Sequence, residues 1–158
     1  MATQLWLLRH GEAVPHDSKP VDADRELTAR GERQAVAAGE GLARLGVEFD
    51  ACYTSPKVRA RDTAKLACRA LNIEPVEEDV LTDGFGREDA LELLYRHGAD
   101  ARVLVVGHEP SFSQVVHDLT GGQVDFKKGG VVAVRTERAG GELLVLLRPR
   151  ELESLARS

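Results

Sequence analysis

The sequence predicts an α/β fold: a single-domain, three-layer α/β/α arrangement with a mainly parallel central sheet and a C-terminal antiparallel hairpin. Three observations carry this prediction. Short apolar runs alternate with segments of helical periodicity four times along the chain, which is the pattern of a largely parallel sheet with helices on both faces. One of those runs, Arg102-Val103-Leu104-Val105-Val106, is apolar without alternation and reads as a strand buried on both faces. The last two runs, Val131 to Thr136 and Leu143 to Leu147, are separated by a Gly140-Gly141 turn rather than a helix and so pair as a hairpin.

The elements follow in order. Leu5 to Leu8 is the first strand, and the polar stretch from Val14 to Glu26, with Pro15 and Pro20, is a long loop that reads as a flexible solvated rim. A helix then begins at Leu27-Thr28 with Thr28 as N-cap; Ala35, Ala38, Leu42 and Leu45 form its apolar stripe, and Gly46 stops it. Phe49 to Tyr53 is the second strand. Ser55 caps the next helix and Pro56 takes its first position, with Ala60, Ala64, Ala67 and Leu71 on one face. Pro75 to Val80 is a third strand, and Arg87 to His97 a helix ending at Gly98. After the Arg102 to Val106 strand, Gly107-His108-Glu109-Pro110 turns into a helix that buries Phe112, Val115, Val116 and Leu119 before Gly121-Gly122.

Composition narrows the function. A chain of 158 residues fits one domain, and a domain of that size buries about 68–70% of its unfolded surface, enough for a real core. The net charge of −5 gives no global attraction for nucleic acid, so any anion site must be a local concentration of cations. Cys52 and Cys68 lack CxxC or metal-ligand spacing and read as reduced, packed thiols, which points to the cytoplasm. No run is long and apolar enough for a signal segment or a membrane span.

In sheets of this kind ligands bind outside the carboxyl ends of the strands. There the sequence places Arg9-His10-Gly11 after the first strand, Ser55-Pro56 and then Arg59 after the second, and Gly107-His108-Glu109 after the fourth. Each group has an ordinary structural explanation alone, but two imidazoles and two guanidiniums from separate strand ends suit phosphoryl transfer. Arginine donates bidentately to phosphate and stays charged, while a neutral imidazole nitrogen can attack phosphorus. Gly11 allows a close backbone approach. Lys57 and Arg59 lie at a helix N-terminus, where the dipole disfavours cations by about 0.3–1 kcal/mol, which makes sense beside a bound anion. Arg61 pairs with Asp62, and Glu109 serves either as helix N-terminal charge or in proton transfer. His97 and His117 have structural explanations, and Lys127-Lys128 either extends the positive field or sits in solvent.

Four segments, "LLRHGEA" at Leu7 to Ala13, "RELTARGERQA" at Arg25 to Ala35, "TSPKVRARDTA" at Thr54 to Ala64 and "VVGHEPSFS" at Val105 to Ser113, together resemble the histidine phosphatase superfamily. Within that phosphoglycerate mutase-like fold they are similar to the small SixA branch of phosphohistidine phosphatases. The resemblance implies that His10 is the phosphorylated nucleophile, that Arg9, Arg59 and His108 form the phosphate pocket with Gly11 completing the turn, and that no metal or other cofactor is needed. It implies one domain over residues 1–158 without a large cap insertion, because Asn72 to Ala101 is short; Glu77, Glu78, Asp79 and Asp83 there offer no secure match to the family's leaving-group acid. An open site without a dedicated acid suits phosphohistidine on a signalling or phosphotransfer protein. The partners expected are such a protein and phosphate, with no nucleic acid or membrane, and the short chain points to a monomer. Two other readings remain: a small-molecule phosphomonoesterase, and a phosphate-binding module without turnover.

Overall fold

The computed structural model describes residues 2–137 and 140–158. Its sheet has six strands: β1 (Thr3–Arg9), β2 (Ala51–Thr54), β3 (Pro75–Glu77), β4 (Arg102–Gly107), β5 (Val131–Glu137) and β6 (Gly140–Leu147), in the spatial order β3-β2-β4-β1-β5-β6. The first four strands of that order run parallel, and β5 is antiparallel to both β1 and β6. The helices are α1 (Ala29–Arg44), α2 (Val58–Leu71), α3 (Arg87–Tyr95), α4 (Ser111–Thr120) and α5 (Pro149–Ala156).

Side chains alternate across the pleat and divide the core into two layers. Leu5, Leu7, Val103 and Val105 pack against Leu93 and Leu94 of α3 and Phe112, Val115 and Val116 of α4. Trp6, Leu8, Leu104 and Val106 point the other way, against Ala38 and Leu42 of α1, Ala60, Ala64 and Ala67 of α2, and Leu152 of α5. The unbroken apolar run of β4 is thus the centre of a sandwich covered on both sides. Cys52 and Cys68 are free thiols buried in the second layer. Among the described residues no helix is long and apolar enough to cross a membrane.

The structure corrects several boundaries. Helix α2 begins at Val58 with Lys57 as its cap, so Ser55 and Pro56 precede the helix instead of starting it. Strand β3 ends at Glu77 and gives way to a 3-10 turn over Asp79–Leu81. Helix α3 stops at Tyr95, and Leu45 caps α1 exposed to solvent rather than extending its stripe. Gly140 and Gly141 lie within β6, paired with Glu137 and Thr136; the connection through Arg138 and Ala139 is outside the described residues. Helix α5 has no counterpart in the sequence reading, although Pro149 at its start and Glu151, which bonds back to the Arg148 N–H, are helix-start signals.

Candidate active site

The carboxyl ends of β1, β4 and β2 lie side by side, and backbone hydrogen bonds continue past the strands. His10 N–H donates to Gly107 O at 3.1 Å and Ser55 N–H to Val106 O at 3.0 Å. Arg9-His10, Ser55 and His108 are therefore fixed relative to one another by the sheet. Arg59, in the first turn of α2, is buried and adds its charge beside His10 and His108. The rings of His10 and His108 stand 5.2 Å apart, inclined at 55°.

His10 is buried and its Nδ1 lies 2.7 Å from Gly11 O. A carbonyl can only accept, so Nδ1 carries the ring proton and Nε2 holds the lone pair. Burial is the main cause that brings the His10 pKa down to about 3; the bond to Gly11 opposes this, and His108, Arg59 and Arg9 add to it. His10 is thus a neutral imidazole with Nε2 available at neutral pH.

His108 is also lowered to about 3, by burial first and then by Arg59 and Lys57. Its Nε2 lies 2.8 Å from Ser55 Oγ, which itself accepts from Lys57 N–H at 3.2 Å. With the Ser55 hydroxyl donating to His108 Nε2, the ring proton stands on Nδ1. That Nδ1, Arg9 Nε and Arg59 Nε are all buried without a hydrogen-bond partner among the described residues. An unsatisfied buried donor costs about 1–3 kcal/mol, so each of these groups calls for an acceptor that the chain does not supply. Burial pushes both guanidinium pKa values down, yet both groups remain charged at any ordinary pH.

Close packing holds the Arg9-His10-Gly11 turn. Gly11 N–H donates to Thr63 Oγ1, whose own hydroxyl donates to Arg59 O, tying the turn to α2. A Cβ on Gly11 would stand 2.5 Å from Gly31 O, and one on Gly31 would overlap Glu12 O. Thr28 caps α1 as its sequence predicts, accepting from Gly31 N–H at 3.0 Å, and thereby brings that helix end against the turn. Arg9 is braced from the other side by Nη1 donating to Phe126 O at 2.6 Å.

The segment from Val14 to Arg25 is not merely a solvated rim. An isolated bridge pairs Ala13 with Leu27 at its base, and two 3-10 turns order it. Its Asp22 accepts from Arg59 Nη2 at 3.1 Å through the carboxylate, and from Arg59 Nη1 at 3.1 Å through the main-chain carbonyl. Burial raises the Asp22 pKa, but Arg25 and Arg59 outweigh it and hold the carboxyl at about 2. The cations at the start of α2 are thus balanced from within: Lys57 Nζ reaches Asp83 at 3.1 Å and Asp22 at 3.7 Å.

The remaining sequence candidates separate. Both Glu109 oxygens are engaged by Ser113, one by its N–H at 2.7 Å and the other by its hydroxyl, so the carboxylate caps α4. Glu78 pairs with Arg96, Arg61 with Asp62, and His97 Nε2 meets Tyr53 OH at 2.9 Å. His117 is exposed on α4. Sequence reasoning missed Ser55 as a partner of His108, Thr63, and Asp22 as a partner of Arg59. Only Ser55 carried a local signal, at a strand end, and that signal equally fits a helix cap.

The sequence model of the histidine phosphatase superfamily (branch 1) matches residues 5–92. An uncharacterised protein of Picosynechococcus sp. is 32% identical over 162 residues, covering 94% of this chain and 98% of that protein. The mitochondrial serine/threonine-protein phosphatase Pgam5 of Drosophila ananassae is 35% identical over 89 residues, which are 56% of this chain and 29% of that protein. Among solved structures, the protein histidine phosphatase SixA complexed with tungstate superposes with a TM-score of 0.83 at 25% identity, covering 94% of this chain and 99% of that one.

Proposed function

This chain belongs to the histidine phosphatase superfamily (branch 1), and from that premise we propose that it removes phosphate from phosphohistidine on a signalling or phosphotransfer protein. Residues 1–158 act in this reading as one histidine phosphatase domain without a large cap insertion. The observation that carries it is the state of His10: a buried, neutral imidazole with its proton fixed on Nδ1 by Gly11 O, flanked by Arg9, Arg59 and His108.

In the first step the His10 Nε2 lone pair attacks phosphorus, and the P–N bond of the substrate breaks. Its electron pair returns to the substrate imidazole, which, protonated on its other nitrogen, leaves as a neutral ring and needs no dedicated acid. In the second step water attacks the phosphorus on His10; the Nε2–P bond breaks and phosphate departs. Arg9, Arg59 and the His108 Nδ1–H hold the equatorial oxygens and offset the charge that builds on them, so the positive charge of the site comes from the chain itself and no metal is required. The related SixA binds tungstate, a tetrahedral oxyanion, in support of such a pocket. Glu109, engaged by Ser113, orients the turn after β4 in this reading rather than transferring a proton.

The test is phosphate release from a histidine-phosphorylated phosphotransfer domain, beside a phosphoserine peptide and a panel of small phosphomonoesters, with chelator present. The expected result is preferential, chelator-resistant release from phosphohistidine, an acid-labile phosphoryl adduct on His10, and loss of both in His10→Ala. Faster turnover of the monoesters or the phosphoserine peptide would overturn the substrate assignment, and binding without release would overturn catalysis.

A further inference from the structure

Beside the nucleophile lies a second feature that shares Arg9 with the proposed chemistry and whose other residues that chemistry leaves unused. A cleft of about 520 Å3 opens next to Arg9, lined by six cations and one carboxylate, in a chain whose net charge is −5. The cations come from four places: Arg9 on β1, Arg30 at the start of α1, the Lys127-Lys128 turn, and Arg148 and Arg150 at the start of α5. Some are matched internally, Arg30 by Glu12 at 3.3 Å, Lys127 by Asp125 at 3.0 Å and Arg148 by Glu151 at 2.8 Å. Lys128 has no ion-pair partner among the described residues, and Arg150 comes no closer than 3.9 Å to Glu151.

The cleft is fixed relative to the nucleophile. Gly129 N–H donates to both Arg9 O and His10 O, at 3.0 and 3.1 Å, and Gly130 N–H closes the turn onto Lys127 O at 2.8 Å. The two lysines therefore stand a residue or two from an anchor on His10 itself. Their character is that of a docking rim rather than a deep ligand pocket: the Lys127 and Arg150 side chains are 56% and 78% exposed. Exposed cations of this kind contribute little static affinity but raise the encounter rate with a complementary surface.

We propose that this cleft is the docking surface for a carboxylate-rich face of the phosphoprotein substrate, next to its phosphohistidine. The proposal rests on the phosphohistidine reading above and adds how the substrate protein is selected. An acidic surface approaching the cleft is steered so that its phosphorylated side chain reaches His10, and a protein lacking that surface is turned over slowly.

The test compares wild type with Lys128→Glu/Arg150→Glu on two substrates, a histidine-phosphorylated phosphotransfer domain with an acidic face and free phosphoramidate, over a range of salt concentrations. On the protein substrate at low salt the variant loses roughly tenfold or more in kcat/KM, and the steep fall of the wild-type value with added salt flattens. On phosphoramidate the two enzymes are equal. Lys128→Gln/Arg150→Gln, which removes charge without reversing it, falls between them and guards against a folding defect. Unchanged kcat/KM on the protein, or an equal loss on both substrates, overturns the proposal. So does tight, variant-sensitive binding of a single-stranded oligonucleotide in place of the acidic protein. A wild-type enzyme that hydrolyses phosphoramidate but not the phosphoprotein instead removes the substrate reading beneath it.

Discussion

Acidification should destabilise this protein through its two site histidines, by an amount that follows from their burial. Both have folded pKa values near 3 against an ordinary 6.5. As the pH falls below 6.5 the unfolded chain takes up protons that the folded chain refuses. Stability is therefore complete above that pH and is lost progressively toward pH 3. Between pH 7 and pH 5 each histidine contributes a loss of about 2 kcal/mol, and the pair about 4 kcal/mol, from 1.36 kcal/mol per pH unit of differential protonation. Against a total of about 5–15 kcal/mol for a domain, that is a large fraction. The assay is urea unfolding at the two pH values for wild type, His10→Asn, His108→Asn and the double variant. Each single substitution should remove about 2 kcal/mol of the pH dependence, whatever it does to stability at pH 7. A wild type whose stability is flat from pH 7 to pH 5, or variants as pH-sensitive as the wild type, would refute the buried neutral imidazoles on which the proposed mechanism depends.

The other predictions address the groups around those rings. Gly31→Ala presses a Cβ into Glu12 O, a main-chain atom that no rotamer change can move, and should cost about 1–3 kcal/mol in urea unfolding while slowing phosphate release; Gly98→Ala, with nothing within 4 Å, should stay within about 0.5 kcal/mol. In Ser55→Ala, His108 loses the hydroxyl that fixes its ring proton on Nδ1, and kcat should fall roughly tenfold, about the worth of one hydrogen bond. Unchanged kcat would show that Ser55 does not set the tautomer. Asp22→Asn keeps a hydrogen-bonding partner on Arg59 but removes the competing charge, so inorganic phosphate should inhibit more tightly, by roughly three- to tenfold; weaker inhibition would mean that the carboxylate orients Arg59 for the substrate rather than competing with it.

Much of this architecture is written in local patterns. The unbroken Val103 to Val106 run sits where both sheet faces are covered, and the alanines of α2 fall on one face because helical period and small side chains leave few other arrangements. Arg9, His10, Arg59 and His108 were legible for a related reason. Arg9 closes β1, His10 and His108 come directly after β1 and β4, and Arg59 stands in the first turn of the helix that follows β2; the carboxyl ends of adjacent parallel strands meet at one edge of the sheet. Element boundaries were less legible, as at Pro56: it fits a first helical turn, but Ser55 is drawn to His108 and the helix waits until Val58.

What the sequence by itself determined is therefore the layer order, the mixed sheet and the identity of the cationic and imidazole groups at its edge, because periodicity and strand ends are local properties of the chain. The tertiary structure alone decided which partner each group has. Asp22 reaches Arg59 across 37 residues, Ser55 reaches His108 across 53, and Gly129 anchors the lysine turn to His10. The proton of His10 is held locally by Gly11 O, but that of His108 answers to Ser55 through one of these long-range contacts. Such contacts depend on distances between segments far apart in sequence, which no spacing along the chain encodes.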